Sequence, residues 1–278
     1  MTDVGIDADG FNRFEAAGWE ERAHAFHRFF GPITARVIDP LLDAAQIVPG
    51  SRVLDVGTGP GDLAAAAVAR GATVVGVDVA NEMLALARRV HPDIEFRQAD
   101  AERLPFEDGS FDALVGNFVI LHLGRPEQAA SEFMRVLASG GRAALSTWDA
   151  PERGRLAGLF AQAVAEVGAP TPPAIPPGPS FFRFSDDAEL SALLAGAGLQ
   201  EVDVRTVSFT HHVANVDDLW DGVLEGTVRV RALVLSQPEE TLIRIRATFD
   251  RLVEEYADDG GFTIPVSVKL GDGQKPSP

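Results

Sequence analysis

Three glycines at every second position, Gly57, Gly59 and Gly61, begin two residues after Asp55, and a second acid, Asp78, lies 17 residues beyond the last of them. Glycine tolerates positive φ and carries no Cβ, so a turn of this kind presents bare backbone to a ligand. It leads into the alanine-rich stretch 63–69, a helix whose N-terminus would offer unpaired N–H groups. A dinucleotide fingerprint needs G-x-G-x-x-G, and its third glycine would fall on Asp62. A carboxylate at the mouth of the turn repels a pyrophosphate and suits a ligand that carries an ammonium group. Asp78 closes the apolar run 73–77, and an acid on the end of a neighbouring strand can accept both ribose hydroxyls of a nucleoside. Val79 and Met83 follow where apolar side chains would flank its base.

The elements that position these groups can be read from periodicity. Residues 52–56 form a short buried strand and 73–78 a second; 81–90 is a helix, 94–98 a third strand, and 111–118 a fourth that ends at Asn117. Residues 126–137 form an amphipathic helix stopped by Ser139-Gly140-Gly141, and 142–148 a fifth strand. Five strands alternating with helices predict a parallel sheet wound on both faces. Upstream, residues 1–10 are expected to be loose, and 11–42 helical with a break at Gly31-Pro32. Downstream, six prolines within 169–180 require an extended arm, followed by the aromatic cluster Phe181-Phe182-Arg183-Phe184. Residues 185–197 are expected to be a helix capped by Ser185, 202–213 a sixth strand, 216–235 and 238–256 two helices, 262–270 a last strand, and 271–278 a frayed tail.

The run Asp55-x-Gly57-x-Gly59-x-Gly61 resembles motif I of the class I S-adenosylmethionine-dependent methyltransferases. The thirteen residues from Asp100 to Asp112 resemble the ubiquinone/menaquinone-biosynthesis C-methyltransferases and their small-molecule relatives. The resemblance implies an α/β fold with a doubly wound, mainly parallel, seven-stranded Rossmann-like sheet. It divides the chain into an N-terminal helical lid (1–45), a cofactor-binding core (46–150) and a remainder (151–278) whose helical insertions form an acceptor cap. It also implies S-adenosylmethionine as cofactor and S-adenosylhomocysteine as product. Asp55, Gly57, Thr58, Gly59 and Gly61 would hold the methionine part, and Asp78 the ribose. Val79 and Met83 would flank the adenine, Asp100 and Ala101 would meet its edge, and Asn117 would stand at the motif IV exit.

Methyl transfer is an in-line displacement, so positioning contributes most, and an oxygen or carbon acceptor also needs its proton removed. His122, His24 and His27 fall on segments expected over the methyl group and are the candidate bases; His211-His212 is a weaker candidate, and His91 is expected to be remote. Segments rich in Phe, Leu, Val and Ala suit a hydrophobic small-molecule acceptor, in the first instance a specialised metabolite. The alternatives are another reaction at the same cofactor site, such as a cyclisation, or a non-catalytic cofactor-binding protein.

Composition limits the partners. The net charge of −17, with only two lysines, is unsuited to nucleic acid or an anionic membrane surface. No cysteine is present, so thiolate metal sites and disulfides are excluded, and no spaced His/acid pattern points to a metal. With no apolar run of spanning length and no secretory-type start, the expected setting is cytoplasmic.

Overall fold

A computed structural model describes residues 5–277. The chain begins with α1 (Ala8–Phe29), α2 (Gly31–Thr34) and α3 (Ile38–Ala44), and continues through β1 (Arg52–Val56), α4 (Asp62–Ala69), β2 (Thr73–Asp78), α5 (Asn81–Val90), β3 (Glu95–Gln98) and β4 (Phe111–Asn117). It proceeds through α6 (Pro126–Val136), β5 (Leu137–Trp148), α7 (Arg155–Val167), α8 (Asp187–Gly196) and β6 (Gln200–Val213). Then come α9 (Val216–Gly226), α10 (Arg229–Leu235), α11 (Glu239–Val253), the two-residue β7 (Ala257–Asp258) and β8 (Gly261–Gln274).

The sheet runs β3-β2-β1-β4-β5-β8-β6, with β7 added at β8. Strands β1 to β5 are parallel, and β8 lies antiparallel to both β5 and β6. Alternation along β1 shows why both faces are covered. Val53 packs with Leu41, Leu63 and Leu84 from α3, α4 and α5. Leu54 and Val56 pack on the other face with Phe133 and Leu190 from α6 and α8. Each large apolar side chain buried in this way contributes about 1.5–3 kcal/mol. A third cluster joins α7, α9 and α11 to the β6–β8 pair through Phe160, Trp220 and Phe249.

Several expectations at element ends are corrected. Of residues 1–10, the first four lie outside the described residues. The rest are tied down: Asp7 caps α1 by accepting the Gly10 N–H at 2.9 Å, and its own N–H donates to Pro177 of the proline-rich arm. The tail from Gly271 is not frayed. Gly271–Gln274 completes β8 between β5 and β6, and Lys275 donates to the carbonyls of Met134 and Leu137 at the end of α6. Gly271 makes this possible, because a Cβ there would lie 2.9 Å from Leu190 of α8.

Strand β5 starts at Leu137 rather than after the glycine pair, with a register shift against β4 accommodating 138–141. The cap of α8 is Asp186, which accepts the Ala188 and Glu189 N–H groups; Ser185 instead donates to the Phe182 carbonyl. The helical run 216–235 is split in two at the extended Thr227. Helices α9, α10 and α11 form an insertion between β6 and β8, which form the antiparallel edge of the sheet.

Candidate active site

The carboxyl ends of β1, β2, β4 and β5 open into one cavity of about 1190 Å³, which α1 covers from above and the start of α10 closes at the side. Ligands bind at this edge of an open α/β sheet. On the β1 side the floor is backbone: Gly57, Gly59 and Gly61 have φ of +67°, +53° and +88°, and Gly57 and Gly59 line the cavity. A Cβ on Gly57 would come within 2.6 Å of Val119. Only glycine fits this turn without strain, so it presents backbone without side chains to the cavity.

Asp78 lines the cavity with a half-buried carboxylate that accepts the Gly59 and Ala80 N–H groups, each at 2.9 Å. Burial pushes its pKa up against the lowering by the N–H groups of Ala80 and Gly59. Each oxygen accepts a single backbone N–H, which leaves acceptor capacity free for ribose hydroxyls. Val79, Met83, Asp100 and Ala101 border the same end of the cavity, and Asp100 accepts the Glu102 N–H at 2.8 Å. Asn117 also lines it. Ser146 Oγ donates to Asn117 Oδ1 at 2.6 Å and accepts the Phe118 N–H at 3.0 Å. Phe118 has φ +58°, and its ring lies 4.1 Å from that of Trp148. A bulky residue in the left-handed region at the end of a strand stores strain of about 1–3 kcal/mol.

Asp55 does not face the cavity, contrary to the expectation of a carboxylate at its mouth. It is 1% exposed, and its Oδ2 accepts the Thr58 hydroxyl at 2.6 Å. Desolvation pushes its pKa up to about 7 despite that bond, and the charge of Asp78 adds to the rise. Thr58 and Gly61 likewise shape the turn without lining the cavity. Asp55 and Thr58 thus cross-link the turn from beneath, because the strand's alternation points residue 55 under α4 instead of over it.

The histidines separate sharply. His122, in the turn after β4, lines the cavity, and its Nδ1 lies 2.9 Å from Glu15 Oε2 on α1. His24 is exposed on α1, and His27 sits 3.6 Å from Asp62 at the head of α4; neither lines the cavity. Both were expected over the methyl group, but the helical phase of α1 turns Trp19 and Phe26 inward instead. His91, expected to be remote, meets the other oxygen of Asp62 at 3.5 Å. His211 and His212 pair along β8 away from the cavity. Among the described residues no group of His, Asp and Glu is arranged to hold a metal, and no helix is long and apolar enough to cross a membrane.

Glu15, Trp148 and Arg229 line the cavity and were missed by sequence reading. For Glu15 a signal existed: Asn12, Glu15, Trp19 and Phe26 recur at helical spacing on one face, and an acid on such a stripe is out of place. Arg229 carried none, since its placement depends on the break at Thr227.

Comparison with known proteins agrees with this geometry. Residues 54–145 match the family described as "Methyltransferase domain". A demethylmenaquinone methyltransferase of Renibacterium salmoninarum is 31% identical over 176 residues, covering 60% of this chain and 74% of that protein. A phosphoethanolamine N-methyltransferase of Haemonchus contortus, solved with S-adenosylhomocysteine, superposes with a TM-score of 0.59 at 20% identity, over 99% of this chain and 61% of its own. The YcgJ protein of Bacillus subtilis does so with 0.59 at 20% identity, over 87% of this chain and 99% of its own. The glycine turn, the acid at the end of β2 and the sequence kinship agree: the chain belongs to the class I S-adenosylmethionine-dependent methyltransferases, in the ubiquinone/menaquinone-biosynthesis-like group.

Proposed function

We propose that this enzyme methylates a planar, hydrophobic, hydroxylated small molecule of the quinol type. The observation that carries the reading is the lining of the cavity, to which Trp19, Phe30, Phe118, Trp148 and Phe181 contribute rings together with one imidazole, His122. Aromatic walls suit a flat ring by offset or edge-to-face contact, each pair worth about 0.5–1.5 kcal/mol beyond area burial. The kinship with a demethylmenaquinone methyltransferase supports the same class.

On this reading residues 46–150 hold the cofactor. The bare backbone of Gly57 and Gly59 faces its methionine part, Asp78 its ribose hydroxyls, Val79 and Met83 the faces of the adenine, and Asp100 and Ala101 its edge. Asn117 borders the methyl end, while Asp55, Thr58 and Gly61 keep the turn in shape. Residues 1–45 act as a lid, and 151–278 supply the acceptor cap. Bound there, S-adenosylmethionine supplies an electrophilic methyl group on a sulfonium. The protein's part is to exclude water, fix the acceptor in line, and take its proton at His122.

The test is calorimetric titration with S-adenosylhomocysteine, followed by turnover of reduced 1,4-naphthoquinone under anaerobic conditions with mass detection. Saturable binding and a product one methylene heavier are expected. Binding without methylation of any hydroxynaphthalene would sink the acceptor class.

A further inference from the structure

We infer that Glu15 is a positioning residue for the methyl transfer. It fixes the tautomer of His122, and it does so only while α1 covers the cavity and Arg229 holds its carboxylate. This inference rests on the reading of His122 as the base. Glu15 is 3% exposed on an apolar helix face, a placement that costs free energy unless the charge is matched. Two groups from elsewhere in the chain match it. His122 Nδ1 stands 2.9 Å from Oε2, and Arg229 Nε stands 3.0 Å from Oε1. The second contact lies off the hydrogen-bonding direction, so it is a charge contact more than a directed bond.

Arg229 is itself held from several sides. It donates to the carbonyls of Leu121 and Pro179, and its guanidinium lies 5.1 Å and 4.7 Å from the ring centres of Phe11 and Phe181. Burial lowers its pKa while Glu15 raises it, and guanidinium stays charged in proteins throughout the working range. It is therefore a fixed cation that holds Glu15.

An ionised carboxylate only accepts hydrogen bonds, so the neutral His122 ring must place its proton on Nδ1. Nε2, on the far side of the ring, has no protein partner among the described residues, and the ring lines the cavity. Its lone pair is thus available to an acceptor hydroxyl. The hydroxyl gives its proton to Nε2. The acceptor oxygen, or a conjugated ring carbon, takes the methyl group as the carbon–sulfur bond breaks and leaves its electron pair on sulfur. Where carbon is methylated, its ring proton is lost afterwards and the oxygen takes a proton back from the His122 imidazolium, which restores the quinol. The imidazolium formed faces the Glu15 carboxylate. Because the three groups come from α1, the turn after β4, and α10, the base is complete only when all three segments are closed together.

The test needs no acceptor at its first stage. In wild-type protein with ¹⁵N-labelled histidine, saturated with S-adenosylhomocysteine, the His122 resonance is identified by its loss in His122→Gln. The expected form is the Nδ1–H tautomer, reverting toward Nε2–H in Glu15→Ala. An Nε2–H ring in the wild type overturns the proposal, whatever the activity. At the second stage, Glu15→Gln is compared with wild type on 1-naphthol and on 4-nitro-1-naphthol, which is already ionised in neutral buffer. A loss of kcat of about tenfold to a hundredfold is expected on the first and of less than about threefold on the second. Equal losses on both would make Glu15 merely structural and overturn the assignment. If neither naphthol turns over while the Nδ1–H tautomer is present, the acceptor class falls and the positioning role stands.

Discussion

The two ends of the cavity are built on opposite principles. The end proposed for the donor, from β1 to β4, is built mostly of backbone: three glycines of positive φ and one acid that takes two N–H groups. The acceptor end meets its ligand with side chains carried by α1, the turn after β4, the end of β5 and the start of α10. The first end is specified within one continuous stretch, from Asp55 to Asn117. The second exists only after segments more than two hundred residues apart have packed together. The difference explains why one fold keeps its cofactor while admitting many acceptors, since side chains on inserted helices can change without disturbing the glycine turn.

Four substitutions would break or sharpen this contrast. The largest effect on cofactor binding is expected at Asp78. Asp78→Ala removes the ribose acceptor and a partner of two N–H groups, at about 1.5–3 kcal/mol for each charge-assisted bond. Affinity for S-adenosylhomocysteine should therefore fall about a hundredfold or more by calorimetry. Retention within about threefold would show that the donor end does not depend on this acid.

Arg229→Met should leave Glu15 buried and uncompensated, destabilising the fold by about 3–5 kcal/mol in denaturant unfolding. Adding Glu15→Gln to that variant should recover part of the loss. Additive losses would mean that the two residues are not coupled.

Gly57→Ala adds a Cβ to a residue with φ +67° at 2.6 Å from Val119. It should cost about 1–3 kcal/mol and weaken cofactor binding together with stability. A variant as stable as the wild type would remove the steric argument for the cradle.

The smallest effect concerns Asp55, whose folded pKa is raised to about 7. A raised acid favours the protonated folded form. Its contribution is therefore full below the ordinary aspartate range and is lost as pH rises through about 7. The cofactor-free protein should lose several degrees of Tm between pH 5 and 8, and Asp55→Asn should flatten that slope in a thermal melt. An unchanged slope would assign the pH dependence to other groups.

Legibility in the sequence followed the same division. The parallel strands, the glycine turn and Asp78 could all be read locally, because strand, turn and helix signals sit within one short window. The facing of Asp55 could not, since a motif specifies residue type and not which way a strand presents it. Which of the three candidate histidines lines the cavity depends on the phase of α1, and the placement of Arg229 on the break at Thr227, which packing in the insertion determines. The stretch 271–274 was misread for a different reason. Gly271 and Gly273 look like a tail in isolation, yet between β5 and β6 they are the residues small enough to lie beneath α8 and the turn that follows it.

The placement of β8 has a kinetic consequence. It is hydrogen-bonded along nearly its whole length to β6 and over half of it to β5, and residues 149–260 separate it from β5. Pairing across so long an intervening segment costs loop-closure entropy that must be met before the contacts form. Until β8 arrives, β5 is an unpaired edge and β6 has no neighbour in the sheet. Order of assembly follows from connectivity: a refolding chain should gain a cofactor-competent half first and hold it for a time beside an open sheet edge. In that interval strand exchange between molecules competes with correct closure.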